Sequence, residues 1–281
     1  MKGTKIEALS KCTREASIQN NPDSPFASVI NLGPLKTAHP YKGLGKWVGL
    51  FFGGLCLLAA PALGLLALLL GFDAYNSVSD LGSAGEAMLL PLCFASGALL
   101  IGALVVYNTW RNWPLQAALY ENGFAHYDRK GLQQVRWEQI EAVWQRVTKH
   151  YTNGVYTGTT HSYTVQAQNG VKLVLDDKLA KVEDLGNAIQ SGAAKALWPK
   201  YVATLQAGQR LTFGPLVLDA NGLSAGNKAL QWKDIKAIKI ARGVISVKKE
   251  GGWLNWASAT VPQIPNFYIF YELVGRFTKV E

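Results

Sequence analysis

The chain has 281 residues, of which 49% are apolar and only 17% charged, with a formal net charge of +9. Soluble globular domains carry about 25% charged residues, and the deficit here traces to two charge-free runs, Trp47–Gly71 and Ala87–Tyr107. Three cysteines exclude a disulfide framework. The basic excess is modest and spread out. It accompanies no nucleic-acid-binding motif, so an anionic membrane leaflet explains it without nucleic acid.

Residues 1–45 are polar and weakly periodic, and composition predicts a largely disordered, cytosolic segment with a short helix near Ile6–Ala16. Residues 46–113 read as a transmembrane hairpin. Helices over about 47–71 and 87–107 would be roughly 37 and 31 Å long, against a bilayer core of about 30 Å. Lys2, Lys5, Lys11, Arg14, Lys36, Lys42 and Lys46 precede the first run and Arg111 follows the second. The connection Phe72–Glu86 carries only acidic charges, Asp73, Asp80 and Glu86. Basic residues stay on the cytosolic side, so both termini are expected in the cytosol of an integral inner-membrane protein. Trp47, Trp110, Arg111 and Trp113 then mark the cytosolic membrane interface. A shallow hairpin dipping into one leaflet is the rival topology. Gly49 and Gly53 have the spacing that lets helices approach closely. Pro61 and Pro91 interrupt the runs, and Cys56 and Cys93 read as small fillers.

Beyond Pro114 the period changes. Leu119-Tyr120-Glu121-Asn122-Gly123 leads to Trp137-Glu138-Gln139-Ile140-Glu141-Ala142-Val143. Leu218-Asp219-Ala220-Asn221-Gly222 leads to Trp232-Lys233-Asp234-Ile235-Lys236-Ala237-Ile238. A repeated Trp of this kind is a core residue. Further Asn-Gly pairs at 153–154 and 169–170 signal hairpins. His161–Gln168 alternates, with Tyr163, Val165 and Ala167 on one face, and turns into Val171, Leu173 and Leu175. Val182, Leu185, Ile189, Ala193, Ala196 and Leu197 follow a helical period that Pro199 should kink or end. Asp176-Asp177 suits the entry to this helix. In the second copy, Asn266 suits the N-cap of a last helix with Phe267, Phe270, Tyr271, Val274 and Phe277 on one face. Each copy is thus six or seven short strands and a helix.

Leu32-Gly33-Pro34, the two Trp-x-x-Ile motifs, Phe213-Gly214-Pro215-Leu216 and Ile264-Pro265-Asn266 occur in an order that resembles uncharacterised bacterial two-pass membrane proteins with tandem PH-like domains. The resemblance runs from about residue 32 to 277. It implies an α+β membrane protein: a two-helix transmembrane hairpin followed by two PH-like domains, at 114–208 and 209–281. Each would be an antiparallel sheet or barrel capped by a C-terminal helix. It implies no biochemical activity.

Reactive constellations are lacking in the sequence. His39, His126, His150 and His161 are scattered and have no zinc-ligand spacing. No nucleophile elbow or phosphate loop occurs, so neither an enzyme nor a cofactor is expected. The remaining candidate is a basic surface at Lys233, Lys236, Lys248 and Lys249, facing anionic lipid headgroups or a protein partner. The positions matching Lys233 and Lys236 in the first copy are Glu138 and Glu141. The expected function is therefore non-enzymatic: PH-like domains displayed at the cytosolic membrane surface for protein or lipid binding. The rivals are an oligomeric transport or channel component, and an enzyme with a site between the two copies.

Overall fold

The computed structural model describes residues 24–78 and 81–281. It divides into two compact units. One is the segment Pro40–Leu115. The other is discontinuous, comprising the residues up to His39 together with Gln116–Glu281.

The Pro40–Leu115 unit is built on α1 (Gly43–Val78) and α2 (Leu81–Asn112). Both are long and apolar enough to cross a membrane, with mean hydropathy 2.5 and 2.4 over the best windows. Only 17% and 11% of those windows is buried, unlike the mostly buried core helix of a globular protein. Small residues line the contact between them. A Cβ on Gly49 would lie 2.2 Å from Thr109 Oγ1, and one on Gly53 would lie 2.6 Å from Val106 Cγ2. The Gly-x-x-x-Gly spacing is thus spent inside the hairpin. The helices also run through most of the expected 72–86 loop. Apolar runs mark where a helix can meet lipid, whereas Asp73, Asn76 and Ser77 remain helical. The N-terminal half of the expected tail is outside the described residues, as is Cys12. Cys56 and Cys93 are free thiols.

The discontinuous unit holds two sets of elements in the same order. The first set is β1 (Leu35–Pro40), β2 (Gln116–Tyr120), β3 (Gly123–Asp128), β4 (Gly131–Arg136), β5 (Ile140–Thr152), β6 (Val155–Ala167), β7 (Lys172–Asp176) and α3 (Val182–Gln206). The second is β8 (Leu211–Phe213), β9 (Leu216–Leu218), β10 (Gly222–Ala225), β11 (Lys228–Gln231), β12 (Ile235–Ala241), β13 (Val244–Lys249), β14 (Asn255–Thr260) and α4 (Phe267–Val274). Each set forms a four-stranded sheet, then a 3-10 turn beginning at the repeated Trp, then a three-stranded sheet. We refer to them as the first and second modules.

The first module therefore begins before the hairpin, not at residue 114. Strand β1 lies beside β2 in the sheet although the 75 residues from 41 to 115 separate them in sequence. In the second module the same connection is the two-residue turn Gly214-Pro215 between β8 and β9. Residues 24–40, expected to be largely disordered, are also anchored. Phe26 and Leu32 are buried against Ala118, Tyr120 and Ala125 on the outer face of the four-stranded sheet. Gln134 holds the segment by accepting the Ile30 N–H at 3.2 Å and donating to the Ser28 carbonyl at 3.3 Å.

The core of the second module lies between its sheets. Phe213, Leu218 and Leu223 from one sheet meet Ile238, Ile245 and Val247 from the other, and α4 closes it with Ile269, Phe270, Leu273 and Val274. Leu197 of α3 joins this core, with Trp198, Tyr201 and Leu205 packed against it. Helix α3 thus serves both modules. Val182, Leu185, Ile189 and Ala193 are buried in its first half, and its second half belongs to the second module. Pro199 does not end it: the helix continues to Gln206 because the residues beyond Pro199 have a core to bury in. In α4 the buried face is Ile269, Phe270, Leu273 and Val274, whereas Tyr271 is exposed. Short helices buried on two sides do not keep the single stripe that sequence periodicity assumes.

Candidate binding surfaces

The repeated Trp-x-x-Ile motif is structural. In both modules the Trp backbone N–H donates to the carbonyl of the Asn of Asn-Gly, at 3.1 Å for Trp137 to Asn122 and for Trp232 to Asn221. The indole N–H donates to the same loop, Trp137 Nε1 to the Glu121 carbonyl at 2.8 Å and Trp232 Nε1 to the Asp219 carbonyl at 3.0 Å. The ring of Trp137 covers Gly192 of α3 and that of Trp232 stacks on Phe277 at 4.6 Å. The Gly of each pair is required by close approach, not by turn conformation. A Cβ on Gly123 would meet the Val135 carbonyl at 2.2 Å, and on Gly222 the Leu230 carbonyl at 2.1 Å. Only the 153–154 pair has both residues at positive φ.

Asn266 occupies the N-cap position of α4, as expected, but its side chain does not cap the helix. It adopts φ 52°, ψ 47° there. Its side chain instead reaches β5 of the first module. Oδ1 accepts the Val143 N–H at 2.9 Å, and Nδ2 donates to the Glu141 carbonyl at 3.0 Å and the Tyr201 hydroxyl at 2.9 Å. The Asn266 N–H donates to the Val143 carbonyl at 2.8 Å. A buried amide whose three polar partners sit on β5 and α3 fixes one module against the other.

Near this junction is a cleft of about 820 Å³ lined by Ala194, Lys195 and Trp198 of α3, Ile240, and Phe267, Tyr271 and Arg276. The Arg276 guanidinium lies 4.6 Å over the Trp198 ring. Glu272 and Glu281 also line it, and no histidine does.

A second cleft, of about 520 Å³, lies within the first module and is lined by Arg146, His161, Asp176, Asp177 and Lys178, among others. His161 Nε2 is 3.6 Å from Glu183. The carboxylates here have structural partners: Asp177 Oδ2 accepts the His161 backbone N–H at 2.7 Å, and Asp176 Oδ1 accepts that of Lys178 at 3.1 Å. Asp176-Asp177 therefore ties β7 to β6 and forms a turn. The acidic residues in the first turn of α3 are Glu183 and Asp184. No cluster of metal-ligating side chains occurs among the described residues. His126 is buried on β3, and neither ring nitrogen has a hydrogen-bond partner. Burial lowers its pKa, opposed by the charges of Asp128 and Asp176. It is a neutral core side chain. His39 is buried with Nδ1 2.9 Å from the Ala180 carbonyl and Nε2 2.9 Å from Thr37 Oγ1.

The basic residues singled out in the sequence come together at one end of the β12–β13 ladder. Lys249 pairs across from Ile235 and Lys248 from Ala237, with Lys236 in the bulge between. The Glu250 N–H donates to the Asp234 carbonyl at 2.8 Å, which brings the 3-10 turn bearing Lys233 to the same end. Lys233, Lys236 and Lys249 are exposed and Lys248 is half-buried. Sequence reading missed what they surround: Trp253 and Leu254, at the β13–β14 connection, are the most exposed large apolar side chains of this module. Gly251-Gly252 just before them forms the turn, but nothing in the sequence period shows that a Trp faces water.

The expected interface residues lie on the hairpin unit. Trp47, Trp110, Arg111 and Trp113 are exposed. Lys46 Nζ stands 4.7 Å over the Trp113 ring and 5.5 Å over that of Tyr41, a cation–π cluster at the start of α1.

Two apolar helices long enough to cross a membrane, joined to an α+β unit of several antiparallel sheets, define the class of protein. The chain belongs to a family of unknown function, DUF6585, whose model matches residues 52–280. That span starts within α1 and covers the second module to residue 280 and all of the first except β1. No curated protein matches the chain.

Proposed function

We propose that this is a non-enzymatic integral inner-membrane protein, both termini cytosolic, whose two modules are tandem PH-like domains that bind a lipid or protein partner at the membrane surface. The observation that carries the reading is the exposure of two helices with hydropathy 2.5 and 2.4. Apolar surface of that extent is stable in lipid and not in water. Seven strands in sheets of four and three, with a helix closing the core, support the PH-like assignment. The matched Asn-Gly and Trp contacts support duplication. The basic flank of the pair, Lys46 before and Arg111 after, supports the cytosolic orientation. The modules contribute hydrogen-bonded edges and a basic end. Compartment reporters placed between the two helices and after Glu281 test the orientation. The reading expects the first outside and the second in the cytosol, and a C-terminal reporter outside the cytosol sinks it.

A further inference from the structure

Trp137, Trp198, Trp232 and Trp256 all pack against other side chains. Trp253 does not: it is fully exposed, and its neighbour Leu254 is 86% exposed. The turn that carries them is closed by a backbone hydrogen bond. Gly251 takes φ +68°, and the Gly252 N–H donates to the Lys249 carbonyl at 3.1 Å. The strand register places Lys233, Lys236, Lys248 and Lys249 around this tip. The acidic residues beside them are Asp234, Glu250 and Glu281, the last paired with Lys279 at 2.8 Å and within the field of Lys248, so the four lysines keep a small positive excess at the tip.

We propose that this tip docks on an anionic lipid surface, with Trp253 and Leu254 entering the headgroup region and the four lysines lying against phosphates. An indole and an aliphatic side chain partition to that depth, and each lysine near an anionic leaflet adds attraction within a Debye length. Two side chains on a narrow turn offer far less than the roughly 800 Å² per partner of a stable protein interface. They suffice for a bilayer, where charge supplies the rest. The inference rests on the membrane reading above, which places such a surface within reach.

The test uses the full chain with Cys12, Cys56 and Cys93 replaced, and an environment-sensitive fluorophore on Leu254→Cys. The same label on Asn227→Cys, in the exposed β10–β11 turn, is the control. The protein is reconstituted in vesicles of phosphatidylcholine alone or mixed with phosphatidylglycerol. The label at 254 becomes shielded from water in the anionic vesicles, while that at 227 does not. Each Lys→Gln change at 236, 248 and 249 lowers the docked-to-undocked ratio about fivefold. A label at 254 as wet as the control in anionic vesicles overturns the proposal. So does shielding seen only in native membranes, which points to a protein partner, or equal shielding in neutral vesicles. Failure of the unlabelled chain to stay with vesicles at alkaline pH sinks the membrane reading itself, and the proposal with it.

Discussion

The two modules share an element order and differ at their edges. In the first, β3 and β4 have six residues each and β5 and β6 thirteen; in the second, β10 and β11 have four each and β12 and β13 seven and six. The equivalent edge residues Val143 and Ile238, each six beyond the Trp, satisfy the same two backbone groups differently. Val143 is bonded by Asn266 from the start of α4, whereas Ile238 donates to the Lys279 carbonyl and accepts the Glu281 N–H. Both devices cover an edge that would otherwise template pairing. The first also locks the modules together, while the second leaves the basic tip of its own module free. The shared Asn-Gly and Trp contacts thus specify the fold, and the divergent edges decide what each module couples to.

The largest expected effect comes from breaking the lock. Asn266→Ala leaves the Val143 N–H and Glu141 carbonyl without partners and should cost about 3 kcal/mol, read as a lowered melting temperature of the full chain in detergent. A stability unchanged from the parent would mean that the modules do not depend on this contact. Next, Gly222→Ala and Gly123→Ala each drive a Cβ into a facing carbonyl and should destabilise by about 2 kcal/mol apiece. Tolerance of one and not the other breaks the equivalence of the two loops. Trp137→Phe and Trp232→Phe remove one indole hydrogen bond each and should cost about 1 kcal/mol each, again to similar extents.

The smallest effect separates the modules by pH. Burial holds the His126 pKa below its ordinary value, so the unfolded chain takes up a proton first as pH falls. Stability should be level above about pH 6.5 and decline below it until the folded-state pKa is reached. His126→Leu should flatten that slope in melting curves, and a slope unchanged by the substitution would assign the pH dependence elsewhere.

The difference in Asn-to-Trp spacing, 15 residues against 11, was legible in the sequence. It is taken up by the hairpins, each of whose strands is two residues shorter in the second module. The pairing of Tyr163 with Leu175 and Val165 with Leu173 was legible for the same reason: an alternating pattern fixes which face is buried. Strand β1 was not, because Lys36, Thr37 and His39 interrupt its apolar pattern and its partner lies beyond two long helices. Local sequence marks Asn266 as the start of α4, which it is, but cannot show that its amide is spent on a strand more than a hundred residues away. The lysines were found by composition, but their convergence on Trp253 depends on the bulge in β12–β13.

The helical pair sits in the β1–β2 connection, and the discontinuous unit should fold without it. The Tyr41 N–H donates to the Leu115 carbonyl at 3.0 Å where the chain leaves and returns, so a short turn can replace what lies between. The decisive measurement is thermal unfolding of a chain in which residues 42–114 are replaced by a Gly-Pro turn patterned on Gly214-Pro215. The expected result is a protein recovered without detergent that melts in one cooperative transition, and at a higher temperature than a fragment beginning at residue 114. Non-cooperative melting, or a fragment lacking β1 that is equally stable, would contradict it.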